Sequence, residues 1–207
     1  MNVAIVDYGA GNVASVKRAV EVLGATAWLA HMPEELVSAD LTIVPGVGHF
    51  QLPADRLNDG WRQALRAHLK RRRPLLGICL GMQWLFDASD EAPDSAGLGL
   101  IAGRCSRLPG HVKVPHVGWN TLEDRPAGSR LLAGLSPAAS MYFCHTYAAP
   151  LGPDVVATTS HGYRFAAALE RGLVFGVQFH PEKSGTAGLK VLANVLAAVR
   201  TESNDAR

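Results

Sequence analysis

In the first half of the chain, short unbroken apolar runs alternate with longer stretches whose apolar positions recur every three or four residues, the pattern of strands and crossover helices in an α/β sheet. Val3, Ala4, Ile5 and Val6 form the first such run, and without polar alternation they fit a strand covered on both faces. Val16, Ala19, Val20 and Leu23 then share one helical face, with Gly24 placed to end that helix. A second strand fits residues 26–30. Leu41, Thr42, Ile43 and Val44 make a third, stopped by Pro45 and Gly46. Leu57, Trp61, Leu65 and Leu69 predict one amphipathic helix over residues 55–70, and residues 74–78 a further buried strand.

Between residues 97 and 172 the runs shorten and turn residues multiply, as at Pro109-Gly110, Pro126 to Gly128 and Gly152-Pro153. A mixed sheet extension is expected there. Residues 173–179 return to an apolar strand, and residues 190–199 to a closing amphipathic helix ahead of a polar tail at 201–207. The predicted class is α/β: an open, mostly parallel central sheet flanked by helices, with a mixed sheet extension. At 207 residues the chain has the length of one domain, placed at residues 1–200.

Composition narrows the class without naming a function. With 48% hydrophobic and 18% charged residues, a disordered, collagen-like or coiled-coil chain is excluded. A formal charge of +2 gives no general surface for nucleic acid, so recognition must come from a site. The dense basic run Lys70-Arg71-Arg72-Arg73 precedes Pro74 and is read as complementing a helix C-terminus. Three cysteines, Cys79, Cys105 and Cys144, have no C-x-x-C spacing, so neither a disulfide framework nor a zinc site is expected. Reduced thiols, no secretory leader and no apolar run near the roughly 18 residues of a membrane span make cytoplasmic, membrane-free residence the expectation.

The chemistry sits in loops after predicted strands, where open α/β sheets place ligands. Gly9-Ala10-Gly11-Asn12-Val13-Ala14 fits a dinucleotide fingerprint, but the acidic residue required about 20 positions on is missing, so a tight turn is preferred. Gly77-Ile78-Cys79-Leu80-Gly81 places a cysteine where a buried strand passes into a helix, flanked by glycines that remove crowding Cβ atoms. Such a turn exposes a nucleophile, and positive charge at a helix N-terminus favours a thiolate. The matching base is His180, at the end of the late strand, with Pro181 holding it extended so that Glu182 lies on the same side. Cysteine, histidine and carboxylate in these positions make a nucleophilic triad. Cys144-His145 fails as a rival dyad, because adjacent strand residues point to opposite faces, and Cys105 is expected to be a half-buried strand residue. Pro45-Gly46-Val47-Gly48 is expected to offer backbone N–H groups to an anion.

Together these motifs resemble the class I glutamine amidotransferases, and within them the glutaminase subunits of imidazole glycerol phosphate synthase. The closer resemblance rests on Asp7 to Asn12, Pro45 to Phe50, Gly77 to Gln83, Pro115 to Asn120, Tyr142 to Tyr147 and Gln178 to Ser184. It implies that Cys79 attacks the carboxamide of glutamine, that His180 moves the proton and that Glu182 orients His180. It further implies an oxyanion hole of the Val47 or Gly48 amide with that of Leu80. Substrate contacts would come from Gln83, His145, Thr146 and Tyr147, with no cofactor and no metal. The implied partner is a cyclase subunit of (β/α)8-barrel fold, met through Asn12, Trp119, Asn120 and Lys183, which would consume the ammonia. Alternatives are the glutaminase of another synthase, such as that of vitamin B6, a non-catalytic regulatory domain on the same scaffold, and a free-standing cysteine peptidase.

Overall fold

The structure, a computed structural model, describes residues 1–205, with side chains through residue 199. Five parallel strands make up one side of a seven-stranded sheet, out to its edge: β1 (Asn2–Val6), β2 (Thr26–Ala30), β3 (Leu41–Val44), β4 (Leu75–Ile78) and, late in the chain, Val174–Val177. Between them come α1 (Val13–Val22), α2 (Gln51–Arg56) and α3 (Asp59–Lys70), and directly after β4 the short α4 (Leu80–Trp84). The middle of the chain supplies β5 (Phe86–Ser89), β6 (Ile101–Arg107), β7 (His116–Thr121), β8 (Ser140–His145) and β9 (Tyr147–Ala148), which form two small sheets beside the main one. Then β10 (Val155–Ser160) and β11 (Arg164–Arg171) extend the main sheet as antiparallel strands next to β12 (Val174–Val177), giving the order β10-β11-β12-β4-β3-β1-β2. α5 (Gly185–Asp205) closes the fold. No helix among the described residues is long and apolar enough to cross a membrane.

The unbroken apolar runs are central strands because both faces are covered. Val3 and Ile5 of β1 join a core with Val16 and Val20 of α1 and Val191 and Val195 of α5. Ala4 and Val6 face the opposite core, with Trp61 and Leu65 of α3 and Trp84 of α4. Gly24 ends α1 with φ +82°, as its position after Leu23 predicts.

Three features differ from the sequence reading. The single helix expected over residues 55–70 is two, because Asn58 leaves helical geometry and its side chain accepts from Gly60 N at 3.1 Å and Trp61 N at 3.4 Å, capping α3. Leu57 stays buried across the break, which is why the apolar spacing looked continuous. The closing helix begins earlier, at Gly185, and runs on through Asp205 into the stretch read as a polar tail; residues 206 and 207 lie outside the described residues. Cys105 is fully buried in β6, not half-buried, and burial pushes its thiol well above the ordinary range.

Candidate active site

β4 ends at Ile78 and α4 begins at Leu80, so Cys79 alone makes the turn, with φ 52° and ψ −107°. A side-chain-bearing residue held there costs about 1–3 kcal/mol and persists only where its surroundings fix it. Here the Cys79 N–H donates to Val177 O at 2.7 Å, and Gln83 N–H donates to Cys79 O at 3.1 Å. The flanking glycines have a packing cause. A Cβ on Gly77 would lie 2.7 Å from Gly81 O, and one on Gly81 only 1.8 Å from Val44 O, so α4 rests directly on the ends of β3 and β4.

β12 pairs with β4 in parallel, Val177 opposite Ile78, which brings the segment after β12 alongside Cys79. His180 is extended there (φ −99°, ψ 95°), but Pro181–Lys183 then turns as a short 3-10 helix instead of continuing extended. That turn, not strand alternation, carries Glu182 back to the imidazole: Nδ1 and Glu182 Oε1 are 2.8 Å apart, with both side chains at most 1% exposed. Ser184 Oγ donates to His180 O at 2.6 Å and fixes the backbone. Burial disfavours the imidazolium, but Cys79 and Glu182 beside it outweigh burial and push the His180 pKa up to about 10. Nε2, the nitrogen left for the sulfur, is buried and without a hydrogen-bond partner, while Sγ points toward Cys144 O at 3.8 Å.

In front of Cys79 lies a cavity of about 230 Å³. It is lined by Val47, Gly48 and Leu80 and by Gln83, His145, Thr146 and Tyr147. Glu91, Pro115 and Cys144 complete the wall. The volume is below the common range for nucleotide- or drug-sized ligands, about 300–1,000 Å³, and suits one amino acid. Of the amides offered to an oxyanion, that of Leu80 is engaged by Gly46 O at 3.4 Å. Tyr8 Oη in turn donates to Pro45 O at 2.7 Å, and burial followed by the proximity of Cys79 raises its pKa, so it remains a neutral donor. Cys144 and His145 do part to opposite faces, one exposed and one buried.

Asn12, whose backbone adopts φ 78° at the N-terminus of α1, donates its amide to Glu182 Oε1, so the glycine-rich turn serves the triad. Lys183 lies on the Pro181–Lys183 turn, with Nζ 5.8 Å from the centre of the Tyr142 ring, and Trp119 meets Tyr142 edge to face at 6.0 Å. Trp119 is 59% exposed, which excludes core packing as its role. Asn120 instead donates to Ser160 O at 2.8 Å. Among the described residues no three His, Cys, Asp or Glu side chains come together as a metal-holding group.

Two buried groups at the site were not singled out from sequence. Gln178 donates to Cys79 Sγ at 3.5 Å, and His116 approaches His145 Nε2 at 3.1 Å through Nδ1. The sequence signal for Gln178 was its place two residues before His180 at the end of the same apolar run; the chain bends at residues 178 and 179, so the fold and not strand parity brings it to the sulfur. His116 carried no such signal, because its partner lies 29 residues away on another strand.

Comparison with known proteins agrees with this geometry. The model for "Glutamine amidotransferase class-I" matches residues 4–199. A protein of Methanopyrus kandleri named imidazole glycerol phosphate synthase subunit HisH is 48% identical over 200 residues, 95% of this chain and 98% of that one. The protein of the same name from Moorella thermoacetica is 43% identical, over 98% of this chain and 97% of its own. In Emericella nidulans the similar segment, 39% identical over 97% of this chain, makes up 39% of a longer protein named imidazole glycerol phosphate synthase hisHF. Among solved structures, PurLQS from Thermotoga maritima superimposes with a TM-score of 0.75 over 95% of this chain and 97% of the other, at 18% identity, which speaks for the fold alone. With a family model spanning nearly every described residue and relatives alike from end to end, the chain belongs to the class-I glutamine amidotransferases.

Proposed function

We propose that the chain is the glutaminase subunit of an imidazole glycerol phosphate synthase, releasing ammonia from glutamine at Cys79 for a cyclase subunit in histidine biosynthesis. The observation that carries this reading is the meeting of a strained cysteine turn with a buried His180–Glu182 pair on two adjacent parallel strands. The end-to-end similarity to proteins named for that synthase supports the pathway.

In this mechanism the thiol proton rests on His180 Nε2, as its raised pKa favours, and Sγ attacks the carboxamide carbon as a thiolate to form a tetrahedral oxyanion. Collapse expels ammonia with the proton returned by His180, leaving a thioester that water hydrolyses to glutamate, His180 acting again as base. Val47 or Gly48 with Leu80 would supply the oxyanion donors. Because Gly46 O engages the Leu80 amide, that hole requires the Gly46–Val47 backbone to move first, which supports a glutaminase that is weak alone and rises with its partner. Gln83 lends both amide hydrogens to protein acceptors, Tyr147 O at 2.7 Å and Gln178 Oε1 at 3.0 Å. Only its carbonyl oxygen is left for substrate, so Gln83 accepts from the α-ammonium of glutamine. Thr146 and the backbone near His145 and Tyr147 line the same cavity.

Ammonia released into water would be protonated and lose its nucleophilicity, so the acceptor reaction belongs in a sealed complex. The longer relative supports a partner of the cyclase kind, to which the reading gives a (β/α)8-barrel fold. Asn12, Lys183 and Trp119, in contact with Glu182 or Tyr142, and Asn120 next to Trp119 on β7, form the face offered to it. The test is ammonia release from glutamine by this chain with and without the cyclase and its nucleotide. Activity should appear in the complex and vanish in Cys79→Ala; full activity in Cys79→Ala overturns the reading.

A further inference from the structure

We infer that Gln178 is a catalytic residue, a built-in hydrogen-bond donor to the Cys79 thiolate, held in its donating orientation by Gln83 and Tyr147. The inference rests on the glutaminase reading for its purpose but not for its geometry.

The argument starts from an atom whose role is not adjustable. Tyr147 O is a backbone carbonyl and can only accept. Gln83 Nε2, 2.7 Å away, therefore is the nitrogen of that amide, and its second hydrogen points to Gln178 at 3.0 Å. The Gln178 atom receiving it must be Oε1. Once Oε1 is assigned, the other end of the amide, 3.5 Å from Cys79 Sγ, must be the nitrogen. Each orientation is thus forced by the one before it. Tyr147 O is itself fixed from the far side by His145 Nδ1 at 2.9 Å, and His145 Nε2 accepts from His116 Nδ1 at 3.1 Å. Gln178 is fully buried and Gln83 4% exposed, so no water competes for these groups.

A donor aimed in advance at a neutral thiol contributes little, because a thiol sulfur is a weak acceptor. When His180 Nε2 takes the proton, the electron pair stays on Sγ, and the same N–H then faces a full negative charge at low local dielectric. The bond is stronger to the thiolate than to the thiol and needs no reorganisation, so it enlarges the share of sulfur present as the nucleophile. The fold supports this placement: β12 ends at Val177 beside β4, and the bend that follows carries both Gln178 and His180 to the sulfur at the end of β4.

The test compares Gln178→Met, which keeps length and removes the donor, with Gln178→Glu, which keeps the acceptor for Gln83 and turns a carboxylate oxygen toward the sulfur. The readout is the pH profile of iodoacetamide alkylation, followed by mass spectrometry at the Cys79 peptide so that exposed Cys144 does not interfere. The titratable groups facing the sulfur are His180 and Glu182 after β12, Tyr8 after β1, His145 on β8 and Glu91 on the cavity wall, and all are unchanged in both variants. The expected result is a profile moved up by roughly one to two pH units in Gln178→Met and further in Gln178→Glu. In the complex, kcat should fall about 10- to 100-fold with KM for glutamine little changed. A purely structural amide would leave the profile in place, or make Gln178→Glu milder than Gln178→Met; either result overturns the inference. If neither variant folds, the Gln178 side-chain amide signals of the wild-type chain are followed by NMR against pH: movement in step with Cys79 titration supports the bond, and its absence overturns it. Alkylation does not require turnover, so a chain that fails to hydrolyse glutamine still decides this point.

Discussion

Gly81→Ala is the sharpest test of how the fold holds its nucleophile. The new Cβ would sit 1.8 Å from Val44 O and 2.8 Å from Val44 C, both backbone atoms at the end of β3. Real Cβ atoms essentially never approach below 3.0 Å, so α4 and β3 must separate by roughly 1.2 Å, and no flexible side chain can give way instead. Overpacking a core costs about 1–3 kcal/mol where side chains yield, and backbone against backbone belongs at or above the top of that range, about 3–5 kcal/mol. For a chain of this length that corresponds to a fall in Tm of about 10 °C. Because the displaced helix begins one residue after Cys79, the sulfur also loses register with His180, and a misplacement near 1 Å costs on the order of 100-fold in rate. Gly110→Ala is the control, since its Cβ meets nothing within 4 Å. Differential scanning calorimetry and the coupled glutaminase assay read both effects. A Gly81→Ala chain that melts within about 2 °C of wild type and keeps full activity would refute the claim that the glycine exists for close approach.

The remaining predictions concern charge and surface. His145 and His116 are held neutral, first by burial and then by neighbouring histidines, with pKa values down to about 3 and about 4, after burial a backbone hydrogen bond to Tyr147 opposing the shift at His145. Their contribution to stability is therefore present above the unfolded-state value near 6.5 and is lost as pH falls through the folded values, because the unfolded chain takes up protons that the native one refuses. The urea midpoint should drop from pH 7.5 toward about 4.5, and less steeply in His116→Gln, which still donates but does not titrate; equal slopes would refute this. His180 works in the opposite sense: its raised pKa makes its contribution complete below about 6.5 and lost as pH rises through about 10, visible as a falling midpoint on the alkaline side. Trp119→Ala should leave Tm within about 2 °C, since the ring is 59% exposed, yet weaken association with the cyclase subunit about 30-fold or more, measured by titration calorimetry. Unchanged affinity would remove this face as the interface.

Much of this molecule is determined locally and is therefore written in the order of its residues. Val3 to Val6 must be a strand covered twice, Gly24 must end a helix, and a cysteine between two glycines at a strand-to-helix turn has few other uses. The resemblance through Gly77 to Gln83 and Gln178 to Ser184 also identified the family before any fold was seen. What sequence did not contain is anything that depends on which segments become neighbours. The separation of α2 from α3 hung on one Asn58 cap hidden beneath a continuous apolar spacing. Glu182 reaches His180 through a 3-10 turn, although strand parity gave the right partner for a different reason. That β12, about a hundred residues downstream, lies against β4 decides why Gln178 and His180 flank Cys79, and a second fold-level approach, β9 to α4, decides which way the Gln83 and Gln178 amides must face. Hydrogen-bond direction is a property of a network, and a network exists only once chain segments far apart in sequence have been packed together.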